Sequence, residues 1–183
     1  QGKGSTKVAI VSREGKKVKN ESPAKRKLRV KRGDKINLTA MELSMEDLNR
    51  VITSALREIA QAEKIRGNVF KSGAYQRAAN NIRALPYAIT NKEQAERIPK
   101  VGPHIAGIIE EILRNGKSGF QQRIYEDKRL KSLIQLSRIP GIGVERAKEL
   151  VDVHNVRDLK SLRERKNDLL SELEAANLDA THD

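Results

Sequence analysis

Cysteine is absent from the 183 residues. That excludes a disulfide framework and any zinc site built on thiolates. Tryptophan is absent too, and two Phe and three Tyr are the whole aromatic complement. The core must therefore be assembled from Leu, Ile, Val and Ala, which suits small, closely packed helices. His104, His154 and His182 show no metal-ligand spacing. No apolar run approaches the roughly 20 residues of a membrane-spanning helix, and no signal-peptide core is present. No membrane partner is expected, and an intracellular compartment is. The first residue is Gln rather than Met, which points to a fragment or a processed product.

What is abundant is positive charge. Lys and Arg number 37 against 24 Asp and Glu, for a formal net charge of +13. The excess is uneven: residues 1–40 hold 13 basic and 3 acidic residues, and the remainder is nearly balanced. Such a balance implies a polyanionic partner, with the amino-terminal arm supplying most of the unspecific attraction. The cluster Lys25, Arg26, Lys27 with Arg29, Lys31 and Arg32 suits a phosphate-binding arm or a nuclear import signal. Lys7–Ser12 and Lys27–Lys31 alternate enough for short strands, and an arm ordered only by its partner fits equally well.

Helical spacing begins after Ser44, which with Asp47 resembles a capping box. Apolar residues at 48, 51, 52, 55, 56, 59 and 60 predict a helix ending near Gly67. A second helix is expected over 69–85, stopped by Pro86. A short one follows over 91–97. The next starts at Pro103 and ends at Asn115-Gly116, because proline suits a helix's first position and glycine its end. Further helices are expected over 128–137, 144–153, 157–164 and 168–176, and no strand beyond residue 40.

Between these helices one design occurs twice. Ile98-Pro99-Lys100-Val101-Gly102, with Ala106 four residues on, matches Ile139-Pro140-Gly141-Ile142-Gly143 with Ala147, 41 positions later. Glycine at 102 and 143 lets a ligand approach the backbone closely. The first N–H groups of the following helix have no partner inside it and carry the positive end of the helix dipole. Such a turn receives a phosphate without reading a base. Arg146 and Lys148 add charge one turn on, and His104 takes the matching place in the first copy. Two helix-hairpin-helix units on a basic chain point to nucleic-acid backbone as the partner.

These residues resemble the amino-terminal part of family X DNA polymerases of the DNA polymerase beta type: a small lyase domain followed by a DNA-binding subdomain. The matching stretches are Gly73-Ala74-Tyr75-Gln76-Arg77-Ala78-Ala79, Ile82-Arg83-Ala84-Leu85-Pro86, the two turns, and Leu113-Arg114-Asn115-Gly116-Lys117, over about two-thirds of the chain. The resemblance implies that the first turn grips the strand downstream of a gap and the second the primer side. It implies a monovalent cation, K+ or Na+, at each turn, held by the carbonyls of Glu96, Ile98 and Val101 and of Ser137, Ile139 and Ile142, with no organic cofactor. It also implies a 5′-phosphate pocket drawing on Lys71, Tyr75 and His104. Where the family's lyase members carry the Schiff-base lysine, this chain has Ile108, which cannot act as a nucleophile. Lys71 and Lys100 are the nearby amines that remain as weak substitutes. Lys100 also replaces the family's usual glycine, which predicts a wider first turn. No Gly-Ser-x-x-Arg-Gly motif and no aspartate pair suited to two magnesium ions is present. Residues 168–183 depart from the family and read as a capped acidic helix.

The expected fold is all-α: a compact helical domain with two helix-hairpin-helix motifs behind a basic arm, either disordered or containing a β-hairpin. The expected divisions are an arm over 1–43, a lyase-like domain over 44–120 and a second hairpin subdomain over 121–183. The expected function is non-sequence-specific DNA binding, at gaps or 5′-phosphate ends, in the nucleus or another DNA-containing compartment. The contacts fall to Lys71, Tyr75, Lys100, Val101, Gly102, His104, Gly141, Ile142, Gly143, Arg146 and Lys148, with Lys25, Arg26 and Lys27 in the arm. Two alternatives stay open: part of a repair polymerase with a 5′-deoxyribose-phosphate lyase role, and a structural component of a ribosome or packaged viral genome, in which RNA is the partner as readily as DNA.

Overall fold

The computed structural model describes residues 35–182. Lys25, Arg26 and Lys27, the candidate strands and most of the basic arm lie outside them. The described residues fold as ten α-helices without a strand. Helix α1 (Met45–Ile65) is the axis, about 30 Å long at 1.5 Å per residue. Ser44 starts it by accepting the Asp47 N–H at 3.1 Å. Its buried stripe of Leu48, Ile52, Ala55, Leu56, Ile59 and Ala60 packs on α2 (Val69–Arg83), α4 (Pro103–Asn115), α5 (Gly119–Glu126) and α6 (Lys128–Ser137). The short α3 (Lys92–Glu96) leads into the first turn.

Beyond the second turn, α7 (Val144–Lys148) runs directly into a π-helical turn over Glu149–Val153. Then come α8 (Leu159–Glu164), α9 (Lys166–Leu169) and α10 (Glu172–Asp179). All buried apolar residues join one aliphatic cluster, whose single aromatic among the described residues is Tyr75. Leu56 and Ile59 are completely buried in it. Truncating either to Ala costs about 2–5 kcal/mol. No helix among the described residues is long and apolar enough to cross a membrane.

Three local expectations change. Residues 36–43, assigned to the arm on charge, are packed: Leu38 is 2% exposed, and the Ile36 N–H donates to the Asn115 carbonyl at 3.1 Å. Helix α5 was not expected, because Gly119 at its start and the polar run after it hide its apolar face. Its Ser118–Gln121 capping box supplies the missing start signal. The helix expected over 168–176 is instead two, broken where Leu170 turns extended and Ser171 caps α10.

Candidate nucleic-acid interface

The two turns are built alike. In the first, Ile98 N–H donates to Ala95 O at 3.1 Å, Val101 N–H to Ile98 O at 3.1 Å, and Ala106 N–H to Gly102 O at 2.9 Å. In the second, Ile139 donates to Leu136 at 3.1 Å, Ile142 to Ile139 at 3.0 Å, and Ala147 to Gly143 at 2.9 Å. The apolar legs Ile98, Val101, Ile139 and Ile142 are buried in the core, and the residues between them are exposed. Burying the legs pins each turn.

Lys100 adopts φ +68° where Gly141 adopts φ +84°. The first turn is therefore no wider than the second. The lysine takes the left-handed conformation that glycine takes freely, at a cost of about 1–2 kcal/mol. Gly102 and Gly143 differ from Gly141 in that both are extended. Their service is space: a Cβ on either would meet nothing within 4 Å. Each precedes a helix with no side-chain cap, whereas Ser44, Asn91, Ser118, Asp127, Asp158 and Ser171 all cap theirs. The leading N–H groups of α4 and α7, from His104 and Ile105 and from Val144 and Glu145, are thus left open beside a bare backbone.

Both turns are also held from behind. The Asn81 side-chain amide on α2 donates to Pro99 O at 2.7 Å. The Asn177 amide on α10 donates to Pro140 O at 2.8 Å. Neither asparagine was singled out by sequence pattern, because the contacts span 18 and 37 residues.

The proposed contact residues separate into groups. Lys100 is exposed and no described residue pairs with it. Lys148 reaches back to Glu145 at 3.1 Å. Arg146 has its donors engaged inside the fold: Glu174 at 3.0 Å, Glu149 at 2.8 Å and the Leu169 carbonyl. These bonds raise its pKa further, the one to Glu149 most. Arg146 thus fastens α10 and the segment before it to the second turn. That role follows from a carboxylate 28 residues away, which its spacing from the turn does not reveal.

Tyr75 and His104 meet, hydroxyl to Nε2, at 3.3 Å. Burial, with Glu63 nearby, raises the Tyr75 pKa, so its hydroxyl stays protonated. Lys71 lies one turn before Tyr75 on the same helix and is exposed. Phe70, beside it, is 93% exposed, an aromatic ring in water that composition alone did not flag. Ile108 is 8% exposed and packs in the core. No group of His, Asp and Glu among the described residues could hold a metal ion. The carbonyls of Glu96, Val101, Ser137 and Ile142 accept no hydrogen bond from the turns, while those of Ile98 and Ile139 each accept one.

Residues 47–118 match the family model of a helix-hairpin-helix domain. The chain carries a family X polymerase-like helix-hairpin-helix region. It is 30% identical over 135 residues to a DNA nucleotidylexotransferase of Xenopus laevis, covering 69% of this chain and 27% of the relative. To the Homo sapiens DNA nucleotidylexotransferase it is 28% identical over 102 residues, 56% of this chain and 20% of that protein. That of Ambystoma mexicanum is 23% identical over 135 residues, 74% of this chain and 26% of the relative. The chain thus spans about a quarter of these relatives' length or less. The family match contains the first turn of this helix-hairpin-helix region. The second turn lies outside it and is recognised by its identical hydrogen-bond ladder.

Proposed function

We propose that this chain binds DNA by its phosphate backbone, without reading sequence, and grips gaps or 5′-phosphorylated ends through its two turns. The observation that carries the reading is the pair of matching turns, each presenting uncapped helix N–H groups beside a glycine with open space in front. In this account a strand lies across Gly102 and another across Gly143, their phosphates accepting from the amides of α4 and α7. Lys100 adds charge at the first turn and Lys148 at the second. Arg146 positions the second turn rather than touching the strand.

A terminal 5′-phosphate is received by Lys71, Tyr75 and His104. The Tyr75 hydroxyl and His104 ring stand close enough to share one anionic oxygen cluster. The exposed Phe70 ring beside them offers a face on which an unpaired base stacks, worth about 1–3 kcal/mol per base. A K+ or Na+ at each turn, held by the carbonyls of Glu96, Ile98 and Val101 and of Ser137, Ile139 and Ile142, would supply positive charge next to a phosphate. The arm residues Lys25, Arg26 and Lys27 add unspecific attraction. A DNA partner implies the nucleus or another DNA-containing compartment.

No lyase chemistry is assigned. A Schiff base needs an amine, and Ile108 is a buried hydrocarbon in its place. The similarity to DNA nucleotidylexotransferases favours one further reading, in which this region serves as the DNA-holding part of a polymerase. Sodium borohydride trapping on a 5′-deoxyribose-phosphate substrate separates a lyase from a binder: no adduct is expected while gap binding is normal.

The direct test compares gapped, nicked, intact and 5′-dephosphorylated gapped duplexes at several salt concentrations. The gapped 5′-phosphorylated duplex should bind tightest. Log affinity should fall against log salt with a slope of about −0.9 per neutralised phosphate. Equal affinity for all four overturns the gap assignment, and a flat salt response overturns backbone recognition.

A further inference from the structure

A second basic site lies away from the turns. The connection after α2 is held against α1 at two points by Asn49, which is only 6% exposed. The Asn49 amide donates to Tyr87 O at 2.9 Å and its oxygen accepts the Ile89 N–H at 3.1 Å. Arg83 at the end of α2, and Leu85 just beyond it, face the first turns of α1. The space enclosed is a cavity of about 550 Å3 lined by Glu46, Arg50, Thr53, Arg57, Arg83 and Leu85, among others. No residue of either turn, and neither Tyr75 nor His104, lines it.

Three guanidinium groups face this cavity against the single carboxylate of Glu46. Arg50 reaches Asp47 at 3.4 Å, an exposed pair worth little. Arg57 and Arg83 form no hydrogen bond or ion pair with any described residue. Like charges placed around one concavity repel, and a bound anion relieves that repulsion. Guanidinium forks match the oxygens of phosphate two at a time. Arg50 and Arg57 start two helical turns apart, about 10 Å along α1, a spread that a chain of phosphates fills better than one compact anion.

We infer that this cavity is a second phosphate site, built by Arg50, Arg57 and Arg83, for a run of linked phosphates. Two sources share that chemistry: the backbone of a nucleic-acid strand beyond the part held by the turns, and the triphosphate of a free nucleotide. The site does not depend on the turns binding DNA.

The test is a nitrogen-15 correlation NMR titration of the full chain with inorganic triphosphate, a short deoxyoligonucleotide, and citrate as a carboxylate control. Amides of 49–57 and 83–85 should shift with a phosphate probe and be lost as a responding set in R57S/R83S, while amides of 102–106 and 143–147 respond as before. Arg83 is exposed and Arg57 half-buried, and neither bonds a described residue, so the double variant keeps the fold. Shifts with triphosphate alone assign a free nucleotide; shifts with the oligonucleotide assign a strand. Shifts confined to the turns, shifts at α1 that survive in R57S/R83S, or an equal response to citrate would each overturn the proposal. Failure of the turn amides to respond, with α1 responding, contradicts the function proposed above and leaves this site standing.

Discussion

The Asn177 amide holds the Pro140 carbonyl at 2.8 Å, just as Asn81 holds Pro99 at 2.7 Å. Two turns repeated in sequence are thus braced by the same chemistry from two unrelated helices. Asn177→Ala should loosen the second turn alone, with faster hydrogen exchange at Ile142 and Ala147 and none at Val101 and Ala106. Asn81→Ala should give the mirror result. Each loss should cost about 0.5–1.5 kcal/mol, the net worth of such a bond. Both turns loosening together in either variant would show that they are not braced independently.

Lys100 holds a left-handed conformation beside the bare backbone of Gly102. Relief of its strain is worth about 1–2 kcal/mol, and glycine returns about 0.5–1 kcal/mol of entropy to the unfolded chain. Lys100→Gly should therefore stabilise the fold by about 0.5–1 kcal/mol in urea melts. The same variant should bind gapped DNA more weakly and with a shallower salt slope. A more stable protein with unchanged binding would remove Lys100 from the contact set.

Two carboxylates make opposite contributions to acid stability. Burial alone would raise Glu174, but the bonds from Arg146 and Ser171 outweigh it and hold its pKa below 4.5. Its folded value is depressed, so the brace contributes above that pH and is lost as pH falls through the folded value. Glu58 is raised above 4.5 by burial, partly offset by the Tyr125 hydroxyl and Arg138. Its ionisation therefore costs stability as pH climbs past 4.5. Tyr125, pushed up to about 12 chiefly by burial and by Glu58, remains a donor throughout. Urea melts from pH 3 to 8 should show Glu174→Gln losing stability at pH 7 and little at pH 3. Glu58→Gln should gain stability at pH 7.

The turns were legible because their information is local: five residues set the two apolar legs, the proline and the glycine. The helix stops at Gly67, Pro86 and Gly116 were legible for the same reason. Arg146 was not, since its partners Glu174 and Leu169 come from a segment whose departure from the family pattern hid its purpose. Residues 168–183 read as a separate acidic helix, yet Asn177 and Glu174 make α10 the second turn's support. The paired asparagines share no sequence context. Residues 36–43 were lost to the arm because charge, rather than the burial of Leu38, drew that boundary.

The carbonyls proposed for a cation give a further expectation. Replacing K+ by tetramethylammonium at constant ionic strength should weaken binding of gapped DNA, because the larger ion cannot enter a carbonyl ring. Unchanged affinity in the two salts would remove the cation from the account.

The most direct measurement concerns Gly102 and Gly143. Both are extended, with open space where a side chain would go, so Gly102→Leu with Gly143→Leu should cost each helix start under about 1 kcal/mol. The double variant should keep its helical circular dichroism and cooperative unfolding, yet lose at least about tenfold in affinity for gapped DNA, about 1.4 kcal/mol. Its salt slope should flatten by about 0.9 for each phosphate released. A folded double variant that binds gapped DNA with the wild-type affinity and slope would contradict the claim that the turns hold the strands.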